Sequence, residues 1–416
     1  MNEGARKVAF ACVLLVALVI PIENVAVLPV VGSLGRLAGL LMVVSAVPAF
    51  FARGRLEIRR PPLSVVVLAL FVLWSFAGLL WTIEVESTVR YVSTFVQLLV
   101  FVVIIWQVTP GDTGRRALQQ AYVIGCWIAV ADGINNFVQG KEAVFQRFAV
   151  SNTDPNDYAL ALALALPMAY ELFRDGRTWT RVLNLLFVPA ALSAIVLSAS
   201  RGGTLAAAVA LLAFPLGWRT IELHGRRAML LLAVAALALV PFLWSDIVTI
   251  VGSNVERIGA VGRDITSGDL NERELIWSVG MSAFAARPLL GVGGGAFPAA
   301  IERVAGLRQL AHNTFISVAV ETGAVGLALF VALIVVTAFP LLYPYARRNL
   351  PSVLLLATLL VGILPLTWEF KKPLWFVIAL LVMVRRVEVV RIASAPSPTL
   401  GPRGALTRPT ASAEGA

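Results

Sequence analysis

Apolar residues run along this chain in long blocks, separated by short links that carry most of the charge. A bilayer core about 30 Å thick needs roughly 20 apolar residues per helix. Twelve blocks meet that requirement: 8–30, 34–52, 63–82, 89–107, 118–138, 157–173, 181–199, 203–218, 228–245, 313–340, 350–368 and 373–391. The first follows Arg6 and Lys7 as a signal peptide would, but eleven more blocks come after it, so it reads as a retained helix. The pattern predicts an all-α integral membrane protein of about 12 transmembrane helices over residues 1–391. Residues 392–416, rich in Pro, Ser, Thr and Gly, read as a disordered cytoplasmic tail.

One connection stands apart. Residues 246–312, between the ninth and tenth blocks, form a link far longer than any other, and links of that length usually carry function. Inside it, Glu272 to Ala286 (ERELIWSVGMSAFAA) reads as a helix lying along the membrane surface, ended by Arg287-Pro288. Gly291 to Ala296 (GVGGGA) looks like a phosphate loop, but no strand precedes it and no Lys-Ser/Thr follows. A tight turn or hinge is the better reading.

Composition agrees with the pattern. Hydrophobic residues make up 59% of the 416 and charged residues 14%, which excludes an ordinary soluble enzyme and a disordered chain. Cys12 and Cys126 both lie in apolar blocks, so no disulfide framework or zinc cluster is available. In a soluble protein the net charge of +10 would suggest a nucleic-acid partner. Sorted by side it says something else. With the N-terminus inside, the inner segments carry 21 of the 34 basic residues and 8 of the 24 acidic ones. The excess is an orientation signal, with both termini cytoplasmic, the long link periplasmic and no nucleic acid implied.

Candidate chemistry gathers at the outer side. Ser198 to Gly203 (SASRGG) joins two blocks through a link too short to be a real loop. It therefore puts Arg201 at the mouth of the bundle, where Gly202 and Gly203 could turn the chain and expose amides. A guanidinium beside amides suits a pyrophosphate, although an arginine snorkelling to headgroups has the same sequence. His312 begins an apolar block, where a helix dipole favours the neutral imidazole that can accept a proton. The other histidine, His224, reads as an ordinary loop residue. Asn313 caps the helix or orients the imidazole. Glu321, nine residues after His312, falls on the opposite face of a regular helix unless the helix breaks at Gly323 or earlier. Arg273 opens the surface helix and could simply pair with Asp269, Glu272 or Glu274. Asp154-Pro155-Asn156-Asp157 is good helix-start chemistry, or a substrate or cation contact. Glu369, Lys371 and Lys372 hold a lipid headgroup or mark the interface. Asp132 is the main candidate for a charge deep in the membrane, of the kind a transporter needs.

Taken together, SASRGG, the RELIWS helix with RPLLGVGGGAF after it, and HNTFISVAVETGAVGLALF resemble the O-antigen ligase family. The related O-antigen polymerases and protein O-oligosaccharyltransferases share that signature domain. The matching core runs from about 185 to 335. The resemblance implies an integral-membrane glycosyltransferase fold and metal-independent, inverting transfer without a cofactor. The donor would be a glycan on undecaprenyl pyrophosphate, and the acceptor a hydroxyl at the periplasmic face of the inner membrane. In the ligases that acceptor is the lipid A core of lipopolysaccharide. It further implies that Arg201 and Arg273 hold the pyrophosphate and His312 is the base, with Asn313, Glu321, Lys371, Lys372 and Asp154 in support. Some ligases carry a second histidine where this chain has Ala311, and DPND recurs in exopolysaccharide polymerases, so a polymerase is the alternative. A protein O-oligosaccharyltransferase or a polysaccharide transporter ranks lower.

Overall fold

The structure is a computed structural model. It describes residues 3–28, 32–52, 55–56, 59–144, 147–176, 178–227, 229–230, 269–342 and 349–393. Of the predicted features, the bulk of the ninth block, the first part of the long link and the C-terminal tail from 394 onward lie outside the described residues.

Helices dominate. In chain order they are α1 (Glu3–Val19), α2 (Leu34–Phe50), α3 (Leu63–Ala77), α4 (Val85–Val108), α5 (Gly111–Val138), α6 (Pro155–Asp175) and α7 (Thr178–Leu197). Then come α8 (Arg201–Leu211), α9 (Ala213–Gly217), α10 (Asp269–Ala286), α11 (Phe297–Ala305), α12 (Thr314–Leu342), α13 (Leu350–Ile363) and α14 (Lys372–Ala393). The described strands are two pairs of two residues each, Val27–Leu28 with Gly32–Ser33 and Phe51–Ala52 with Arg55–Leu56.

Among the described residues, six helical segments are long and apolar enough to cross a membrane: Glu3–Ile22, Leu63–Leu80, Val85–Val108, Gly111–Val138, Trp179–Leu197 and Thr314–Leu342. Shorter apolar helices cover Leu34–Phe50, Arg201–Gly217, Leu350–Ile363 and Lys372–Val384. The chain is thus a helical membrane protein. Its outward faces carry Val44, Leu73 and Phe339, exposed as lipid-facing side chains would be.

Two helices form the centre. Every residue of α6 from Tyr158 to Phe173 is buried, as is the stretch of α14 from Leu374 to Met383. A helix apolar all round belongs inside other helices. α6 packs against α5, α7, α8 and α13, and α14 against α4, α5 and α12. Gly203 lets α8 approach α6, since a Cβ there would stand 2.3 Å from that of Ala159.

A polar cluster pins one end of the bundle. Buried Arg115 of α5 donates to Glu171 of α6 at 3.1 Å and to Asp112 at 2.8 Å, and Gln119 donates to Glu171 at 3.0 Å. The candidate residues lie at the other end.

Candidate active site

Three short turns lead into the site. Asn152 (φ 57), Ala199 (φ 49) and His312 (φ 46) are the non-glycine residues with left-handed backbone among those described. Each stands two or three positions before a helix, respectively α6, α8 and α12. Left-handed backbone costs a side-chain-bearing residue energy and persists where surrounding contacts hold it. Here all three mark helix starts that carry candidate residues.

At the first turn, Asp154 caps α6, accepting from the amides of Asn156 (2.7 Å) and Asp157 (3.4 Å). This is the capping role its sequence predicts. Asp157 faces the link between α13 and α14, where it accepts from the Trp368 indole and the Lys371 ammonium, each at 2.7 Å. Lys372 pairs with Glu23. Both lysines are therefore engaged with carboxylates of this chain.

At the second turn, the structure corrects the reading of the glycines. Ala199, not Gly202 or Gly203, makes the left-handed turn. Ser200 caps α8 by accepting from the Gly203 amide at 3.1 Å, so that amide is not exposed. The glycines serve close packing: a Cβ on Gly202 would meet Pro365 at 2.7 Å. Arg201, the first residue of α8, is exposed at this junction.

Arg147 holds the second turn from outside it. Its guanidinium donates to the Ser198 carbonyl at 2.9 Å and to the Asn156 side chain at 2.7 Å, and the Ser200 hydroxyl donates to the same Asn156 oxygen at 2.9 Å. Arg147, Asn156 and Ser200 thus tie the starts of α6 and α8 together around Arg201. The sequence reading missed Arg147 because it lies between helices, in no motif, and 54 positions before Arg201.

At the third turn, Asn313 caps α12, accepting from the amides of Phe315 (3.0 Å) and Ile316 (3.1 Å). Thr314 donates to the Leu366 carbonyl at 2.8 Å and accepts from the Trp368 amide at 2.9 Å. Residues 365–366 therefore lie between the start of α8, which touches Pro365, and the start of α12. The Trp277 indole of α10 donates to the Ala311 carbonyl at 2.7 Å. Arg273 is one helical turn before Trp277, on the same face of α10. Arg273 is near enough to His312 for its charge to act on the imidazole.

His312 is half-buried, and burial lowers its pKa from the usual imidazole value. The positive charge of Arg273 pushes the same way, while Asp154 and Asp157 oppose it. The environment thus favours a neutral imidazole able to accept a proton.

The break in α12 is also present. Gly323 has φ 69 and ψ −174 inside the helix. The freed carbonyls of Val320 and Glu321 accept from the amides of Val292 and Gly293, each at 2.9 Å, and that of Thr322 accepts from the Trp74 indole at 2.8 Å. The Ala324 amide donates to the Pro288 carbonyl at 2.8 Å. The glycine-rich loop, with Gly291, Gly293 and Gly295 all at positive φ, is therefore a tight turn docked on a broken helix. Glu321 points into this junction, where the Phe297 amide at the start of α11 donates to it at 3.2 Å. Glu369 is buried beside Ser317 rather than lying at an interface, and Asp132 holds the turn before α6 by accepting from the Ser151 amide and hydroxyl.

The fold and the site define a helical membrane protein with basic groups and a histidine gathered at one end of the bundle. Residues 185–331 match the sequence profile of the family described as O-antigen ligase. That match takes in α7, α8, α10, α11, the start of α12 and its break, and it points to a membrane glycosyltransferase of the O-antigen ligase and polymerase type. No curated protein matches the sequence.

Proposed function

We propose that this protein transfers a glycan from undecaprenyl pyrophosphate to an acceptor hydroxyl, most specifically the lipid A core of lipopolysaccharide. In this reading the chain has twelve spans, both termini are cytoplasmic, and the site opens to the periplasmic face of the inner membrane. The observation that carries the reading is His312, held on a left-handed turn with its imidazole biased toward the neutral form and Arg273 close by.

The Arg201 and Arg273 guanidiniums bind the donor pyrophosphate. Guanidinium cations placed at the leaving group stabilise the charge that develops as the sugar–phosphate bond breaks. His312 takes the proton of the acceptor hydroxyl. The oxygen bonds to the anomeric carbon on the face opposite the leaving group, and the bond's electron pair leaves with undecaprenyl pyrophosphate. The configuration inverts. Asp154 and Asn313 support the reaction through the helix starts they cap, and Lys371 through Asp157.

The test is transfer by the purified protein in proteoliposomes, with a lipid-linked glycan donor and lipid A core as acceptor. Wild-type protein is expected to form the conjugate, and His312→Ala to abolish it. Arg201→Lys is expected to impair transfer, because an ammonium cannot grip a pyrophosphate bidentately. Full activity in His312→Ala overturns the role of the base. Elongation of the lipid-linked glycan without conjugation to lipid A overturns ligation in favour of polymerisation.

A further inference from the structure

Behind His312 lies a group of polar side chains that the transfer reaction does not use. Glu321 and Glu369 are 4% and 1% exposed, and Tyr91 of α4 is 6% exposed. One carboxylate oxygen of Glu321 takes the Phe297 amide at 3.2 Å, and one of Glu369 takes the Ser317 hydroxyl at 2.6 Å. Ser317 and Glu321 are one turn apart on the same face of α12, so the two carboxyl groups lie along that face. The second oxygen of each, and the Tyr91 hydroxyl, are buried without a hydrogen-bond partner.

The walls are apolar and close. The Tyr91 ring occupies the space beside Gly294, where a Cβ would meet it at 2.4 Å, and its centroid is 4.5 Å from that of Phe95. Phe95 in turn packs edge-on against Trp375, whose indole donates to the Glu369 carbonyl at 2.7 Å. The groups facing the two carboxyls are thus Ser317 from α12, Tyr91 from α4, the amides of Gly295 and Phe297 at the start of α11, and the amides of Trp368 and Glu369 in the link before α14. Among the described residues neither carboxyl has a cationic partner in an ion pair.

We infer that Glu321 and Glu369 hold one proton between them, forming a buried proton-binding site that secures the glycine-rich loop and α11 to the broken helix. Two ionised carboxylates in one largely apolar pocket repel each other, and the few donors around them replace only part of the hydration they lose. Tyr91 has a single hydrogen to donate and can satisfy only one of the two remaining oxygens. A proton on one carboxyl gives that group a hydrogen to donate and removes one of the two negative charges. Burial pushes the Glu369 carboxyl above the ordinary carboxylate range, in the same direction.

The site sets a pH dependence. Across neutral pH the folded chain holds one more proton than the unfolded chain, whose carboxylates are ionised. Stability therefore falls as pH rises, until the pair itself titrates, and is level beyond that point. The inference does not rest on the transferase reading and is tested without substrate.

Infrared spectroscopy of the purified full-length protein in detergent reads the carbonyl stretch of a protonated carboxyl directly. Wild-type protein is expected to show this band at neutral pH and to lose it on alkaline titration. Glu321→Gln or Glu369→Gln alone should move the midpoint to lower pH, because each removes a negative neighbour. The double Gln variant should lack the band and should lose the decline of thermal stability with rising pH. Glutamine keeps the shape without the charge; should Glu321→Gln disturb α11, the Glu369→Gln arm carries the comparison. Absence of the band in wild-type protein at neutral pH overturns the inference, as does its survival in the double variant. A stability that tracks sodium concentration in place of pH also overturns it, identifying a bound sodium ion.

Discussion

The Trp368 indole donates a 2.7 Å hydrogen bond to Asp157, joining the first turn of α6 to the link that precedes α14, 211 positions away in the chain. The Trp368 amide meanwhile donates to Thr314 at the start of α12. One residue therefore fixes the relative position of two helix starts, one bearing Asp157 and the other following His312. Asp157 and Arg273 act on the imidazole with opposite signs, and that opposition can be measured.

Asp157→Asn preserves an oxygen for the Trp368 indole but removes the charge that favours the imidazolium. The His312 pKa is expected to fall further, so the acid limb of the transfer-rate profile moves to lower pH. Arg273→Gln removes a charge that disfavours the imidazolium and should move the His312 titration to higher pH, with a fall in rate. NMR titration of labelled histidine checks both directions; shifts of the same sign would contradict the geometry.

Arg147→Lys keeps the charge and loses the forked contact to Ser198 and Asn156. Loss of these partly buried hydrogen bonds should cost about 1–2 kcal/mol, read from chemical unfolding in detergent. Transfer should fall as well, because the start of α8 is less well held around Arg201. An unchanged rate alongside reduced stability would limit Arg147 to a purely structural role.

Gly323→Ala should be among the most damaging small substitutions. A Cβ there would stand 2.1 Å from the Leu289 carbonyl oxygen, and φ 69 is unfavourable for alanine. The left-handed backbone alone costs at least about 1 kcal/mol, and the clash adds to it. A thermal-shift assay should show a clear drop, with faster proteolysis in the 288–297 loop.

Asn313→Ala removes the cap of α12 and should cost about 1 kcal/mol. Asn313→Ser retains a capping oxygen and should recover most of the loss. Failure of serine to rescue would mean that the asparagine acts on something beyond the two amides it caps.

Apolar length located most of the helices, because an apolar helix is specified by its own sequence; eleven of the twelve predicted blocks overlap a described helix, and six described helices are long and apolar enough to cross a membrane. Capping by Asp154 and Asn313 was equally legible, since a cap and its partners are two or three residues apart. Long-range pairs were not. Nothing local marks Arg147 as a partner of Ser198, or Trp368 as a partner of Asp157. Glu369, in a charged link, has the sequence of an interface residue, and only the folding of that link against Ser317 buries it. The break at Gly323 was foreseen only as a condition for Glu321 to leave the regular helix face. Its cause is tertiary, because the glycine-rich loop supplies the amides that replace the lost helical bonds.

The break also changes the length that α12 has available. As a continuous helix its 29 residues would extend about 43 Å, well beyond the roughly 30 Å of bilayer hydrocarbon. From Ala324 onward the remaining stretch covers about 28 Å, which matches that thickness by itself. On the proposed reading the short segment before Gly323 would then lie at headgroup depth, the level of a lipid-linked donor's phosphates. An unbroken rod would have had to push the imidazole out into bulk water or draw Glu321 down among the acyl chains.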